Sequence, residues 1–209
     1  CTLAEYQSGF SDRHLLHGVV SYWAARKPDA QAVIGHERDR ALDWAALDSA
    51  STSLAAGLLR FGFRKGDYLA ASLPFLIEHV LVEYACFKIG VIHAPLDLRL
   101  RPAEVLRSLD QIRARGFAFL GRTPAADFRE LGLAAKARCA SVEYLFQMSA
   151  PEDTVAGAIS LPGLLAGLPA SPPLEFPRRR PEVLADDAAQ VIFTTGSTGS
   201  PKPALLSHR

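Results

Sequence analysis

Nine residues near the end of the chain, Thr194-Thr195-Gly196-Ser197-Thr198-Gly199-Ser200-Pro201-Lys202, gather five hydroxyls, two glycines and a lysine directly behind the apolar run Val191-Ile192-Phe193. Glycine permits positive φ and close approach of the backbone. Successive N–H groups can then point into one concavity and hold an anion. The hydroxyls of Thr194, Thr195, Ser197 and Thr198 add donors, and Lys202 adds a positive charge on a long stem. Phosphate oxygens, each able to accept several hydrogen bonds, are the natural guest; a lone carboxylate needs fewer donors.

The spacing is not that of the P-loop of kinases and NTPases. That motif needs a second glycine five residues after the first, then Lys and Ser/Thr. Here Pro201 stands at that distance from Gly196, followed by Lys202 and Pro203. No GxGxxG links a strand to a helix, which argues against a dinucleotide site. On composition alone a polar turn between two strands explains the stretch as well, because Gly, Ser, Thr and Pro dominate turns.

The elements that must position this loop follow from hydrophobic periodicity. Residues 13–26 carry apolar side chains at helical spacing, and Lys27-Pro28-Asp29 ends that helix. Residues 32–34 and 41–44 flank a charged turn and read as a short hairpin. Helices and strands then alternate: helix 45–61, strand 68–74, helix 75–90, strand 91–96, helix 101–113, strand 116–121, helix 124–137 and strand 141–146. This rhythm predicts an α/β fold, a mostly parallel β-sheet flanked by helices. Residues 149–185 break it. A short helix is expected around 159–167, and five prolines between 169 and 181 exclude regular structure there. A strand over 188–195 enters the loop. The subregions are thus 13–148, a βα-repeat sheet; 149–185, a Pro-rich connection; and 186–209, a strand with its loop.

Bulk properties narrow the function. The 209 residues suffice for one large or two small domains, and 49% hydrophobic residues support a substantial core. With 23 basic and 22 acidic residues the net charge is +1, so there is no electrostatic footprint for nucleic acid. No run is long and apolar enough for a transmembrane segment. Three cysteines, Cys1, Cys86 and Cys139, without metal-ligand spacing favour free thiols in a cytoplasmic protein. No metal site is expected. The missing leader pattern, the initial Cys and the abrupt end suggest a piece of a longer protein.

The ordered string "TTGSTGSPK" says more than its composition. It resembles the phosphate-binding signature of the adenylate-forming (AMP-binding) superfamily: acyl-CoA synthetases, nonribosomal-peptide adenylation domains and luciferases. The stretches "KPDAQAVI", "DWAALDSASTSLAAGLLRFGFRKGDYLAASLP", "ACFKIGVIHAPLDLRLRPAEV" and "DDAAQVIFTTGSTG" extend the resemblance over about 14–209, closest in style to fatty-acyl or aryl-CoA ligases.

The resemblance implies the incomplete N-terminal part of that family's large domain. It also implies a two-step reaction, in which a small-molecule carboxylic acid attacks ATP to give an acyl-adenylate, and coenzyme A then displaces AMP. ATP and Mg2+ would be held at Thr194, Thr195, Gly196, Ser197, Thr198, Gly199 and Lys202. The family's catalytic lysine is expected beyond Arg209, so this chain alone should be inactive and its sheet should leave apolar edges unpaired. Loading of a carrier protein, or a non-catalytic nucleotide-binding remnant, are the alternatives; a homodimer is compatible with each. Pro203 departs from the family's usual glycine. Elsewhere, His208, His79 and His93 read as structural, and Cys86 as a buried thiol. Asp97 and Arg99 read as a local turn pair, Glu78 and Glu83 as solvent or interface charges, and Arg178-Arg179-Arg180 as a solvated run.

Overall fold

The computed structural model describes residues 2, 4, 15–35, 40–194 and 202–209. Helix α1 (Leu16–Arg26) precedes a small antiparallel pair, β1 (Gln31–Ile34) and β2 (Ala41–Asp43). Asp43 ends β2 and caps α2 (Trp44–Arg60), its carboxylate accepting from the Ala46 N–H at 2.7 Å. Then follow β3 (Tyr68–Ser72), α3 (Ile77–Ile89), β4 (Ile92–Pro95), α4 (Pro102–Gln111), β5 (Gly116–Leu120), α5 (Arg129–Arg138) and β6 (Tyr144–Met148). The chain continues through β7 (Ala158–Ser160), α6 (Leu161–Ala166), α7 (Phe176–Arg179), β8 (Ala188–Thr194) and β9 (Lys202–Ser207).

Seven of these strands form one sheet in the order β7-β6-β5-β3-β4-β8-β9. All neighbours pair in parallel except β8 and β9, which are antiparallel. The α/β expectation therefore holds: a mostly parallel sheet is flanked by helices. Its central strands are apolar on both faces because both are covered; Leu69, Ala70 and Ala71 of β3 are wholly enclosed. One core lies beneath α1, α2, α3 and α6, with Leu47, Leu54, Leu58, Val82, Ala85 and Leu161. The other lies beneath α4 and α5, with Val105, Leu109, Phe117, Phe119 and Ala135. The turn from α3 into β4 needs Gly90, whose φ is 67°. A Cβ there would also lie 2.8 Å from Lys65 Cγ.

Three segments differ from the sequence expectation. Within 149–185 a parallel edge strand, β7, precedes the expected short helix and extends the sheet beyond β6. The prolines do not exclude helix at α7, because Pro177 sits in its first turn, where the missing N–H would have no partner anyway. Residues 202–207 form β9, a strand that no periodicity announces. Among the described residues, no helix is long and apolar enough to cross a membrane.

Candidate functional site

The connections of the sheet decide where a ligand fits. The chain steps from β3 to β4 through α3, then returns past β3 to β5 through α4. The two helices pack on opposite faces, so the strand order reverses between β3 and β5, and the carboxyl ends of those two strands are the usual ligand position in such sheets. Strand β8 lies beside β4 and ends at Thr194 on the same edge. There the candidate loop begins, and Lys202 starts the return strand.

Thr194 and Lys202 face each other across the hairpin as register partners, and the Thr194 hydroxyl donates to the Lys202 carbonyl at 3.3 Å. Both are exposed. The structure thus brings the two flanking site residues together. Thr195, Gly196, Ser197, Thr198 and Gly199 lie outside the described residues. Lys202 is extended, as expected for a residue before proline. Pro203 pairs with Phe193 on an edge strand, where the absent N–H is tolerated.

What fixes the hairpin is a buried polar network that periodicity does not reveal. Strands β4 and β8 share a single register pair, His93 with Gln190. Side chains supplement that short ladder. The Gln190 amide donates to Glu83 Oε1 on α3 at 2.8 Å and lies 3.4 Å from His93 Nδ1. His93 Nδ1 is 3.6 Å from the same carboxylate. Burial would raise the Glu83 carboxyl, but the rings of His93 and His79 and the Gln190 amide outweigh it and hold it below its ordinary value. The His79 ring lies 5.2 Å from that of His93, with Nδ1 3.1 Å from the Pro74 carbonyl. Burial, then His93, lower its pKa.

At the base of the hairpin, the Asp187 carboxylate accepts from the Leu184 N–H at 2.6 Å and pairs with Lys65 at 2.5 Å. The His208 backbone N–H donates to the Asp187 carbonyl at 3.2 Å.

Other sequence expectations divide. Asp97 and Arg99 pair locally through two carboxylate oxygens at the surface. Cys86 and Cys139 are buried free thiols, and burial pushes both upward in pKa. The arginines 178–180 are exposed. Glu78 and Glu83 are not solvent charges. Glu78 is 5% exposed and pairs with Arg40 at 2.8 Å, while Glu83 turns inward to Gln190. Their helix packs against the sheet and α2, so few of its faces reach water. His93 is fully buried, as expected of a core histidine, but its Nε2 has no partner among the described residues. The Glu83–Gln190 contact, spanning 107 residues, leaves no local signal in the sequence.

Comparison with known proteins agrees with this fold. A family model described as "AMP-binding enzyme" matches residues 20–209. The phosphinothricin tripeptide synthetase PhsC of Streptomyces viridochromogenes is 31% identical over 93% of this chain and 15% of its own length. The medium-chain fatty-acid–CoA ligase of Escherichia coli is 27% identical over 91% of this chain and 33% of its own. The chain therefore spans a third or less of these relatives. The N-terminal domain of FACL13 from Mycobacterium tuberculosis superposes with a TM-score of 0.74 at 22% identity, over 92% of this chain and 44% of that one. With the family model covering nearly the whole sequence, the chain belongs to the AMP-binding, adenylate-forming enzyme family.

Proposed function

We propose that this chain carries the triphosphate clamp of an AMP-forming ligase. Such a ligase activates a small carboxylic acid as its acyl-adenylate and transfers the acyl group to coenzyme A. The observation that carries this reading is the position of Thr194 and Lys202, the two described residues that flank the candidate loop. Thr194 ends a parallel strand at the carboxyl edge of the sheet, the edge where β3 and β5 also end, and Lys202 pairs with it there.

The donor set fits ATP and Mg2+. Lys202 supplies charge, and the exposed hydroxyl of Thr194 keeps lone pairs open while donating to Lys202. Thr195, Ser197 and Thr198 would add hydroxyls, and Gly196 and Gly199 backbone N–H groups. Mg2+ takes oxygen ligands and would neutralise charge on the bound phosphates. Donors fixed where pyrophosphate leaves would stabilise the charge developing there. Two buried, unpaired thiols suit a cytoplasmic setting.

Transfer to a carrier protein is the second reading, favoured by the identity to a tripeptide synthetase. In the full-length protein, Lys202→Ala is expected to weaken Mg·ATP binding about tenfold or more, the effect of losing one charge-assisted contact. Unchanged binding would refute the clamp. Offering coenzyme A and a carrier protein in parallel, and measuring the thioester formed, decides the acceptor.

A further inference from the structure

The return strand of the hairpin is held on one side only, by its ladder to β8. β9 is the edge of the sheet, and residues 202–206 are all exposed. Immediately after it the chain turns inward: His208 is 4% exposed. Its Nδ1 accepts the N–H of Leu16, the first residue of α1, at 3.3 Å. The preceding residue, Leu15, offers no side-chain acceptor, so the helix is capped by a ring 192 positions away. The ring packs edge-on against Phe87 of α3 at 5.7 Å and His17 of α1 at 5.8 Å.

We propose that neutral His208 is the positioning residue that docks the return strand of the phosphate hairpin onto α1, and that protonating it releases the strand. The inference rests on reading residues 194–202 as the phosphate site.

The chemistry follows from the acceptor role. An Nδ1 that accepts carries no proton, so the proton sits on Nε2, which has no partner among the described residues. Protonation would set an N–H against the Leu16 N–H and bring a charge to the positive end of the α1 dipole. The charged groups around the ring are few. Asp187 favours protonation and Lys65 opposes it, while burial opposes it more strongly than either acts. Across the His17 ring stand Lys88 of α3 and Arg180 behind α7, both positive; Lys88 is itself paired with Asp48 of α2 at 2.7 Å.

The test separates docking from nucleotide binding. Amide hydrogen exchange is followed at Leu16 and β9 in the full chain without nucleotide, near pH 7.5 and near pH 5, after correction for intrinsic rates. Wild type should lose protection at the lower pH. His208→Asn, whose amide oxygen replaces Nδ1 as an acceptor but does not titrate, should match wild type at the higher pH and lose clearly less at the lower, only the share that His17 contributes. His208→Ala should lose about fivefold at the higher pH, the effect of one hydrogen bond. If His208→Asn exchanges like His208→Ala, or wild type loses no more protection at the lower pH than His208→Asn does, docking by the neutral ring is wrong. Mg·ATP affinity is then measured on the same variants in the full-length protein. His208→Asn should bind like wild type and His208→Ala severalfold more weakly. Protection that follows this pattern while no form binds ATP would sink the phosphate reading and leave the docking intact.

Discussion

Mild acid is expected to destabilise this fold, and the share of one histidine, His17, can be worked out. His17 is 5% exposed on α1. Burial first, then the charges of Lys88, Arg180 and His208, lower its pKa from 6.5 to about 4. In the unfolded chain the ring takes up a proton near 6.5; in the fold it resists until about 4. Between those values the unfolded state binds more protons, so stability falls as the pH falls. Each unit corresponds to about 1.36 kcal/mol, which gives about 2 kcal/mol lost by pH 5 and about 3 kcal/mol below pH 4. The contribution is fully present above 6.5.

The comparison variant is His17→Gln. The Phe87 carbonyl beside the ring favours its charged form, and Nδ1 has no partner among the described residues, so Nε2 is the nitrogen to mimic. A glutamine amide can donate from the same place without titrating. Urea unfolding of both proteins at about pH 7.5 and pH 5 isolates the one group, since every other carboxylate and histidine is shared. The stability of wild type relative to the variant should fall by about 2 kcal/mol between the two conditions. A difference constant to about 0.5 kcal/mol would show that the ring does not resist protonation in the fold.

Two further outcomes test the packing and the polar network. Gly132→Ala on α5 places a Cβ 2.2 Å from Phe119 Cζ, inside the second core. It should destabilise by about 1–3 kcal/mol in thermal or urea unfolding, despite the gain in helix propensity. Gln190→Leu removes the donor from Glu83 and the side-chain tie between β8 and α3, and should cost about 1–3 kcal/mol. Gln190→Glu should cost more in the same assay, because a second carboxylate would then face Glu83.

The chain's own residues determine a good deal. Apolar runs of strand length alternating with amphipathic helices require parallel strands covered on both faces, and the sheet from β3 to β6 is that. Asp43 before α2 and Pro102 at the start of α4 mark their helices by local chemistry alone. The proposed anion-holding role of the 194–202 segment rests on the same kind of signal, because donor type and glycine spacing are local properties.

Strand β9 has no such signature. Five of its six residues are exposed, so no alternation marks it, and only pairing with β8 makes it a strand. The same limit hides β7, three residues long, whose partner β6 defines it. Nor does periodicity reveal that Glu83 turns inward, because the helix that carries it is apolar on several sides and its partner Gln190 is 107 residues away. His208 looks like a residue after a loop, yet the fold makes it the cap of the first described helix. Residue types and their spacing set what the terminal loop can hold. Tertiary structure alone sets where it is held, because the contacts that seat its hairpin join residues that no local pattern connects.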